Sequence, residues 1–182
     1  MIDTTPKNKF REVVEFTWEI LKIVIISLAI IIPIRYFLIQ PFFVNGASME
    51  PNFQDGDYLI VDEISYRFDA PERGDVVIFR YPLDPSQFFI KRVIGLPGES
   101  IKVEDGKIFI NGKALDESEY LEDIDTVGSV EIKLAEDEYF VLGDNRQASS
   151  DSRKWGEVDK KFIIGRAWLR AWPFSRAGIL NN

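Results

Sequence analysis

The hydrophobic pattern changes character once along the chain. From Ile20 to Ile39 it reads ILKIVIISLAIIIPIRYFLI, whereas beyond Gln40 it breaks into short β-branched and aromatic runs separated by turn residues. About 20 apolar residues, at roughly 1.5 Å rise each, match a hydrocarbon core of about 30 Å. Lys22 and Arg35 lie near the two ends and can snorkel, and Trp18 and Tyr36 suit the same depths. Pro33 is placed to kink the helix close to its exit, where a missing hydrogen bond is easiest to repair. A core or interfacial helix would carry a polar face, which this segment lacks. A cleaved leader would end in a small-x-small site, whereas Phe37 to Val44 is bulky. The pattern therefore predicts an uncleaved signal-anchor over 20–39, with a mixed-charge tail over 1–19. Lys7, Lys9, Arg11 and Lys22 outnumber the single Arg35 on the far side, which places the N-terminus inside and residues 40–182 outside.

Past the anchor, Tyr58–Val61, Val76–Phe79, Phe88–Ile94, Glu138–Leu142 and Phe162–Leu169 read as strands. Asp55-Gly56-Asp57 and Glu72-Arg73-Gly74-Asp75 introduce the first two. Asp105-Gly106 and Asn111-Gly112 flank Lys107-Ile108-Phe109-Ile110 and mark consecutive hairpin turns. Residues 115–131 are polar and acidic and read as a solvated excursion. Many short strands between turns predict a mostly β domain, an antiparallel barrel or sandwich, behind one transmembrane helix.

Composition then narrows the chemistry. The 182 residues are 46% apolar with four Trp, enough for a real core, and carry a net charge of −8 with no concentrated basic face, which argues against a nucleic-acid partner. There is no His and no Cys. Thiolate catalysis, disulfides, the common zinc sets and any Ser-His-Asp arrangement are excluded together. Glu117, Glu119, Glu122, Asp123 and Asp125 lack the spacing of a calcium loop, so neither metal nor cofactor is expected. Arg73-Gly74-Asp75 spells an integrin-binding tripeptide, but leads at once into Val76-Val77-Ile78-Phe79 and reads as a tight turn.

A serine needs a base to take its proton, and without His that base is Lys, Asp, Glu or Tyr. Lys91 lies in Phe88-Phe89-Ile90-Lys91-Arg92-Val93-Ile94. In a strand it shares a face with Phe89 and Val93, while Arg92 shares one with Ile90 and Ile94, so one of the two cations is expected to be buried. Arg cannot usefully lose its proton, but Lys can. Lowering a lysine from about 10.4 to about 7–8 takes roughly 4 kcal/mol of preferential desolvation, which an apolar site supplies. Taken singly, Lys91 reads as a snorkelling edge residue and Ser48 as a turn cap before Pro51. The loop Gly143-Asp144-Asn145-Arg146-Gln147-Ala148-Ser149-Ser150-Asp151-Ser152-Arg153 changes that reading, since it sets small hydroxyls between Asp-Arg pairs directly after a strand.

Four boxes then occur in order behind the anchor: Gly46-x-Ser48-Met49-x-Pro51, Arg73-Gly74-Asp75-Val76-Val77-x-Phe79, Lys91-Arg92-Val93-Ile94-Gly95-Leu96-Pro97-Gly98-Glu99, and Gly143-Asp144-Asn145-Arg146-x-x-Ser149-x-Asp151-Ser152-Arg153. From about Phe42 to Pro173 the chain resembles bacterial type I signal peptidase. The resemblance implies that Ser48 attacks the scissile carbonyl and that Lys91 is the general base which then protonates the leaving amine. Ser149 would orient the amine, and Asp144, Asp151 and Arg153 would brace the loop. The oxyanion region is Gly46 and Ser48, with Gly46 standing where some members carry a hydroxyl. Val44, Met49, Phe53 and Phe89 are expected to wall a shallow substrate pocket. The implied substrates are exported preproteins cut after a small-x-small motif, lying extended beside a strand. The implied setting is a bacterial-type plasma membrane, the peptidase domain on its outer face against the bilayer, as a monomer.

Rival readings are weaker. A related Ser/Lys autoprotease of the repressor-cleaving kind would carry a DNA-binding domain instead of an anchor. An α/β-hydrolase needs Gly where Glu50 stands, and a Ser-x-x-Lys penicillin-binding arrangement needs a serine with lysine three residues on, which the sequence lacks. An anchored, non-catalytic β-domain that binds or scaffolds partners would leave Lys91 in its apolar strand unexplained.

Overall fold

The structure is a computed structural model that describes residues 9–37, 39–122 and 125–180, with side chains over 11–32, 41–122 and 125–180. It divides into two units, Met1–Leu38 and Ile39–Asn182. The first is a single helix, α1 (Lys9–Phe37), which runs through Pro33. Val13, Phe16, Ile23, Ile26, Ile30 and Ile31 are all exposed along it, so apolar side chains cover every face. Among the described residues no helix is long and apolar enough to cross a membrane. The span expected over Ile20–Ile39 passes through Leu38, which lies outside them, as do residues 1–8 of the expected tail.

The second unit is mostly antiparallel β. Its strands are β1 (Ile39–Phe43), β2 (Tyr58–Asp62), β3 (Val76–Tyr81), β4 (Asp84–Gly95), β5 (Ser100–Glu104), β6 (Lys107–Ile110), β7 (Lys113–Ala114), β8 (Val130–Lys133), β9 (Glu138–Leu142), β10 (Val158–Asp159), β11 (Ile163–Trp172) and β12 (Gly178–Ile179). Two short helices, α2 (Ser65–Phe68) and α3 (Ser152–Trp155), follow β2 and β9. One sheet has the order β1-β2-β11-β3-β4-β9-β10, with β12 on β11; the other is β7-β6-β5-β8. The barrel-or-sandwich expectation thus resolves into two open antiparallel sheets.

The predicted strands all form, some longer than their cores suggested. At both hairpin tips of the second sheet the turn residues take left-handed backbone, Asp105 at φ 50° and Gly106 at 77°, then Asn111 at 50° and Gly112 at 81°. That pair of signs matches the twist of the flanking strands, which is why Asp-Gly and Asn-Gly are favoured there. Four strands went unread, the two-residue β10 and β12 and two longer ones. β1 directly follows the greasy segment and contains Pro41, tolerated because β1 is an edge. β8, Val130-Glu131-Ile132-Lys133, is hidden in the acid-rich excursion.

Period-two alternation explains the core. Along β3, Val76 and Ile78 enter a cluster with Val44, Met49, Phe53, Leu59 and Val61, while Val77 and Phe79 point to the opposite face and meet Val93, Tyr139, Val141 and Val158. A third cluster joins Ile94, Phe140 and Leu142 to Ile101, Val103 and Ile108 of the second sheet. Each fully buried side chain of this kind contributes about 1.5–3 kcal/mol.

Candidate active site

Three segments converge at one end of the large sheet. Residues 44–57 connect β1 to β2, and their position is fixed by what they bury. Val44, Met49 and Phe53 are 1%, 0% and 3% exposed, so Met49 and Phe53 act as plugs around Ser48. Asp57, wholly buried, closes the segment: its carboxylate accepts from Gln54 N–H and pairs with Arg170 (3.1 Å) and Arg176 (2.9 Å). The second segment is β4. The third is the loop 143–151 after β9, whose Asn145 N–H donates to Ser48 O at 3.1 Å and whose Asn145 Nδ2 donates to Ala47 O at 3.1 Å.

At the junction Lys91 Nζ stands 2.8 Å from Ser48 Oγ, a distance over which a hydroxyl proton can pass to a neutral amine. Nζ also donates to Ile90 O at 2.8 Å and lies 5.4 Å from the centre of the Phe89 ring. Burial pushes the amine down to about 8, and the negative fields of Asp151 and Asp144 keep it from falling further.

The neighbouring cation is buried as well, so the expectation that one of the two would be is exceeded. Arg92 leaves β4 on the opposite face and forks onto Asp144, Nε to Oδ1 at 2.9 Å and Nη2 to Oδ2 at 2.7 Å. Asn52 Nδ2 donates to the same carboxylate at 2.9 Å, and the guanidinium lies 4.1 Å over the Tyr120 ring. Asp144 therefore ties the loop to β4. Asp151 and Arg153 do pair within the loop, at 2.8 and 2.7 Å, and Asp151 also accepts from Gly143 N–H. Burial alone would raise the Asp151 carboxyl, but Arg153 and the Ser149 hydroxyl beside it hold it below the usual range.

Three sequence expectations change. Ser149 is buried beside the junction, yet its Oγ makes no hydrogen bond to the Lys91 amine, which donates to Ser48 Oγ and Ile90 O; the hydroxyl lies beside the Asp151 carboxylate instead. Gly46 has φ 89° and its N–H donates to Asp55 Oδ1 at 2.7 Å, so its backbone donor is already engaged. Ser48 N–H has no acceptor among the described residues and is the free donor next to Oγ. Val44, Met49 and Phe53 pack in the core and do not line the cleft; of the four expected wall residues Phe89 alone does. The segment between β1 and β2 buries its large apolar side chains beneath it and leaves the small residues Gly46, Ala47 and Ser48 at the cleft.

The cleft at Ser48 and Lys91 measures about 550 Å³ and is bordered by Phe42 and Phe43 of β1, by Gln87–Ile90 of β4, and by Ala47, Ala148 and Ser150. β9 pairs with β4 only from Arg92 to Gly95, so among the described residues Asp84–Lys91 carries no strand on that side. β1 likewise ends the sheet order. The sheet curls enough for both free edges to border one cleft. A larger hollow of about 790 Å³ lies between the second sheet and residues 114–122 with Asp125, and neither Ser48 nor Lys91 lines it.

Sequence reasoning missed Asn52, Asp57 and Tyr120 and gave Gly143 and Asn145 no role, although both stand in the quoted Gly-Asp-Asn-Arg box; of the two expected Asp-Arg pairs the first is not formed, since Asp144 pairs with Arg92 and Arg146 with Glu117. Gly143 has a steric role: a Cβ on it would overlap both Ser149 Oγ and the carbonyl oxygen of Ser48. Asp123 of the expected solvated loop lies outside the described residues.

The chain matches the family model described as signal peptidase, peptidase S26, over residues 17–172. It is 41% identical over 175 residues to a probable signal peptidase I-2 of Synechocystis, covering 92% of this chain and 79% of that one. It is 41% identical over 171 residues to a signal peptidase I of Leptolyngbya laminosa, covering 90% and 83%. With a signal peptidase I of Bacillus licheniformis the identity is 36% over 170 residues, covering 88% and 90%.

Proposed function

The chain belongs to the signal peptidase family, peptidase S26, and is a serine endopeptidase that removes signal peptides; from that premise we propose that Ser48 is its nucleophile and Lys91 its general base. The observation that carries the proposal is the 2.8 Å approach of Lys91 Nζ to Ser48 Oγ, in surroundings whose burial brings the amine down to about 8. Ser48 Oγ attacks the scissile carbonyl as its proton passes to Nζ. The oxyanion forms against Ser48 N–H, and Lys91 returns the proton to the departing amine. Water, deprotonated by the same amine, then releases the acyl-enzyme. Nucleophile, base and oxyanion donor all belong to the chain, and the reaction calls for no cofactor.

The substrate is an exported preprotein lying extended in the cleft, adding a strand to the free edges of β4 and β1. Ala47 and Ala148 beside Phe42 and Phe89 favour small side chains at the scissile bond, in keeping with a small-x-small motif. We further place α1 in the bilayer as an anchor, with the N-terminus cytosolic and the peptidase unit, as a monomer, on the outer face of a bacterial-type plasma membrane. The apolar side chains exposed all round α1 support this, since nothing in water covers them.

The test is cleavage of a preprotein by the full chain in lipid-detergent micelles, with the Ser48→Ala chain as blank. The expected product begins directly after the small-x-small motif, and replacing the small residue before the scissile bond by Trp stops cleavage. Equal cleavage by Ser48→Ala, or binding of the preprotein without cleavage, would sink the reading in favour of another nucleophile or a binding domain. A second expectation concerns Gly143. Gly143→Ala pushes Ser149 and the Ser48 backbone apart, and a displacement of about 1 Å costs up to ~100-fold in rate. The loss should fall on kcat, with KM nearly unchanged, in steady-state peptide cleavage.

A further inference from the structure

Residues 115–131 look like a charged loop that water could hold, and most of the described side chains among them are exposed. Some are not. Leu121 and Thr126 are 5% and 1% exposed, and Tyr120 packs against the core of the second sheet. Glu117 opens a turn, its carbonyl accepting from Tyr120 N–H at 3.1 Å and Leu121 N–H at 2.9 Å. Its carboxylate points inward and accepts from Tyr120 Oη at 2.8 Å and from Arg146 Nη1 at 2.9 Å and Nη2 at 2.5 Å.

Arg146 is the link to the chemistry. Its side chain has no exposed surface, and besides Glu117 it donates from Nη1 to Thr126 Oγ1 at 2.5 Å and from Nε to Gly143 O at 3.0 Å. Gly143 is where the site converges: its N–H is held by Asp151, and its Cα lies against Ser149 and the Ser48 carbonyl. The same turn acts a second way, because the Tyr120 ring covers Arg92 and Tyr120 O accepts from Asn52 Nδ2 at 2.8 Å, both of them partners of Asp144.

We infer that Glu117, on the β7–β8 loop of the second sheet, is a positioning residue for Ser48 and Lys91, holding Gly143 in place through the buried guanidinium of Arg146. This rests on the Ser48–Lys91 reading above. A guanidinium without surface needs a carboxylate, and Arg146 is too short of room to find water. Without Glu117 it turns toward Asp144 and competes with Arg92 for that carboxylate, which loosens Gly143 and the bridge from β4 to the loop together. Glu117 touches neither substrate nor Ser48, so its loss falls on the rate and leaves substrate binding intact.

The experiment compares kcat, KM and thermal unfolding midpoint for the full chain, Glu117→Gln, Arg146→Gln, their double variant and Tyr120→Phe. Glu117→Gln is expected to lower kcat about tenfold with KM within about twofold. The double variant should be no slower than Arg146→Gln, because the two residues act as one unit. Tyr120→Phe removes one brace on the carboxylate and should cost kcat about two- to threefold with the midpoint unmoved. Unchanged kcat in Glu117→Gln overturns the inference, and so do losses that multiply in the double variant. If Glu117→Gln fails to fold, Tyr120→Phe decides: unchanged kcat there also overturns it. The underlying reading fails separately, if Ser48→Ala cleaves as fast as the unmodified chain.

Discussion

Lys91→Met keeps the length and apolar stem of the side chain but removes the amine, and peptide cleavage is expected to fall about 10³–10⁴-fold while the unfolding midpoint holds or rises. The site contains no other base in reach: among the described residues the lysine amine is the one titratable group within hydrogen-bonding distance of Ser48 Oγ. The stability half of the expectation follows from burial, because a lysine 4% exposed and without a carboxylate partner at hydrogen-bonding distance is costly to keep. The unmodified enzyme should also report the amine through pH. Below about 8 Lys91 carries a proton and cannot accept another, so kcat/KM should climb about tenfold per pH unit and level off above that value. A flat profile from pH 6 to 9, or a Lys91→Met chain that still cuts, would remove the amine from the mechanism.

Asp144→Ala is expected to carry the largest stability loss in the chain, about 3–5 kcal/mol by urea unfolding, because it leaves a buried guanidinium without its fork. Arg92 and Asp144 are 5% and 0% exposed in their side chains, so water cannot replace the lost oxygens. Any folded fraction has a second signature. The Asp144 field raises the Lys91 amine against burial, so its removal, and the unpaired charge it leaves on Arg92, should move the acid limb of the pH profile to lower pH. A stability change under about 1 kcal/mol would mean that Arg92 finds another partner.

The residues proposed to do the chemistry are easier to read in the sequence than those that hold them. Ser48 and Lys91 stood out because the absence of His and Cys left few bases and because one lysine lay among Phe89, Ile90 and Val93. The strands and hairpin turns were legible wherever alternation and Asp-Gly or Asn-Gly pairs coincided. The supports were not. Asp144 pairs across 52 positions with Arg92, and Arg146 across 29 with Glu117, and no local period encodes a partner that distant. Val44, Met49 and Phe53 are expected at a pocket wall from their nearness in sequence to Ser48, but in a turn that nearness does not fix which way a side chain aims, and all three aim at the core. Glu117 was lost among acidic neighbours that are solvated, since composition describes a loop by its majority.

The open edges of β1 and β4 carry a consequence for the range of leaders one copy can process. Hydrogen bonds to a peptide's main chain are indifferent to its side chains, so a cleft built from two strand edges holds nearly any extended sequence in the same register. Discrimination is then left to the few places where the walls come close. On the proposed binding mode, such an enzyme reads its substrates as a lock reads blanks with a single notch: many unrelated leaders can enter, provided each is unfolded at the cut and small where Ser48 meets it. A mature domain already packed into its own sheets has no free backbone to offer, and is spared without any sequence to mark it.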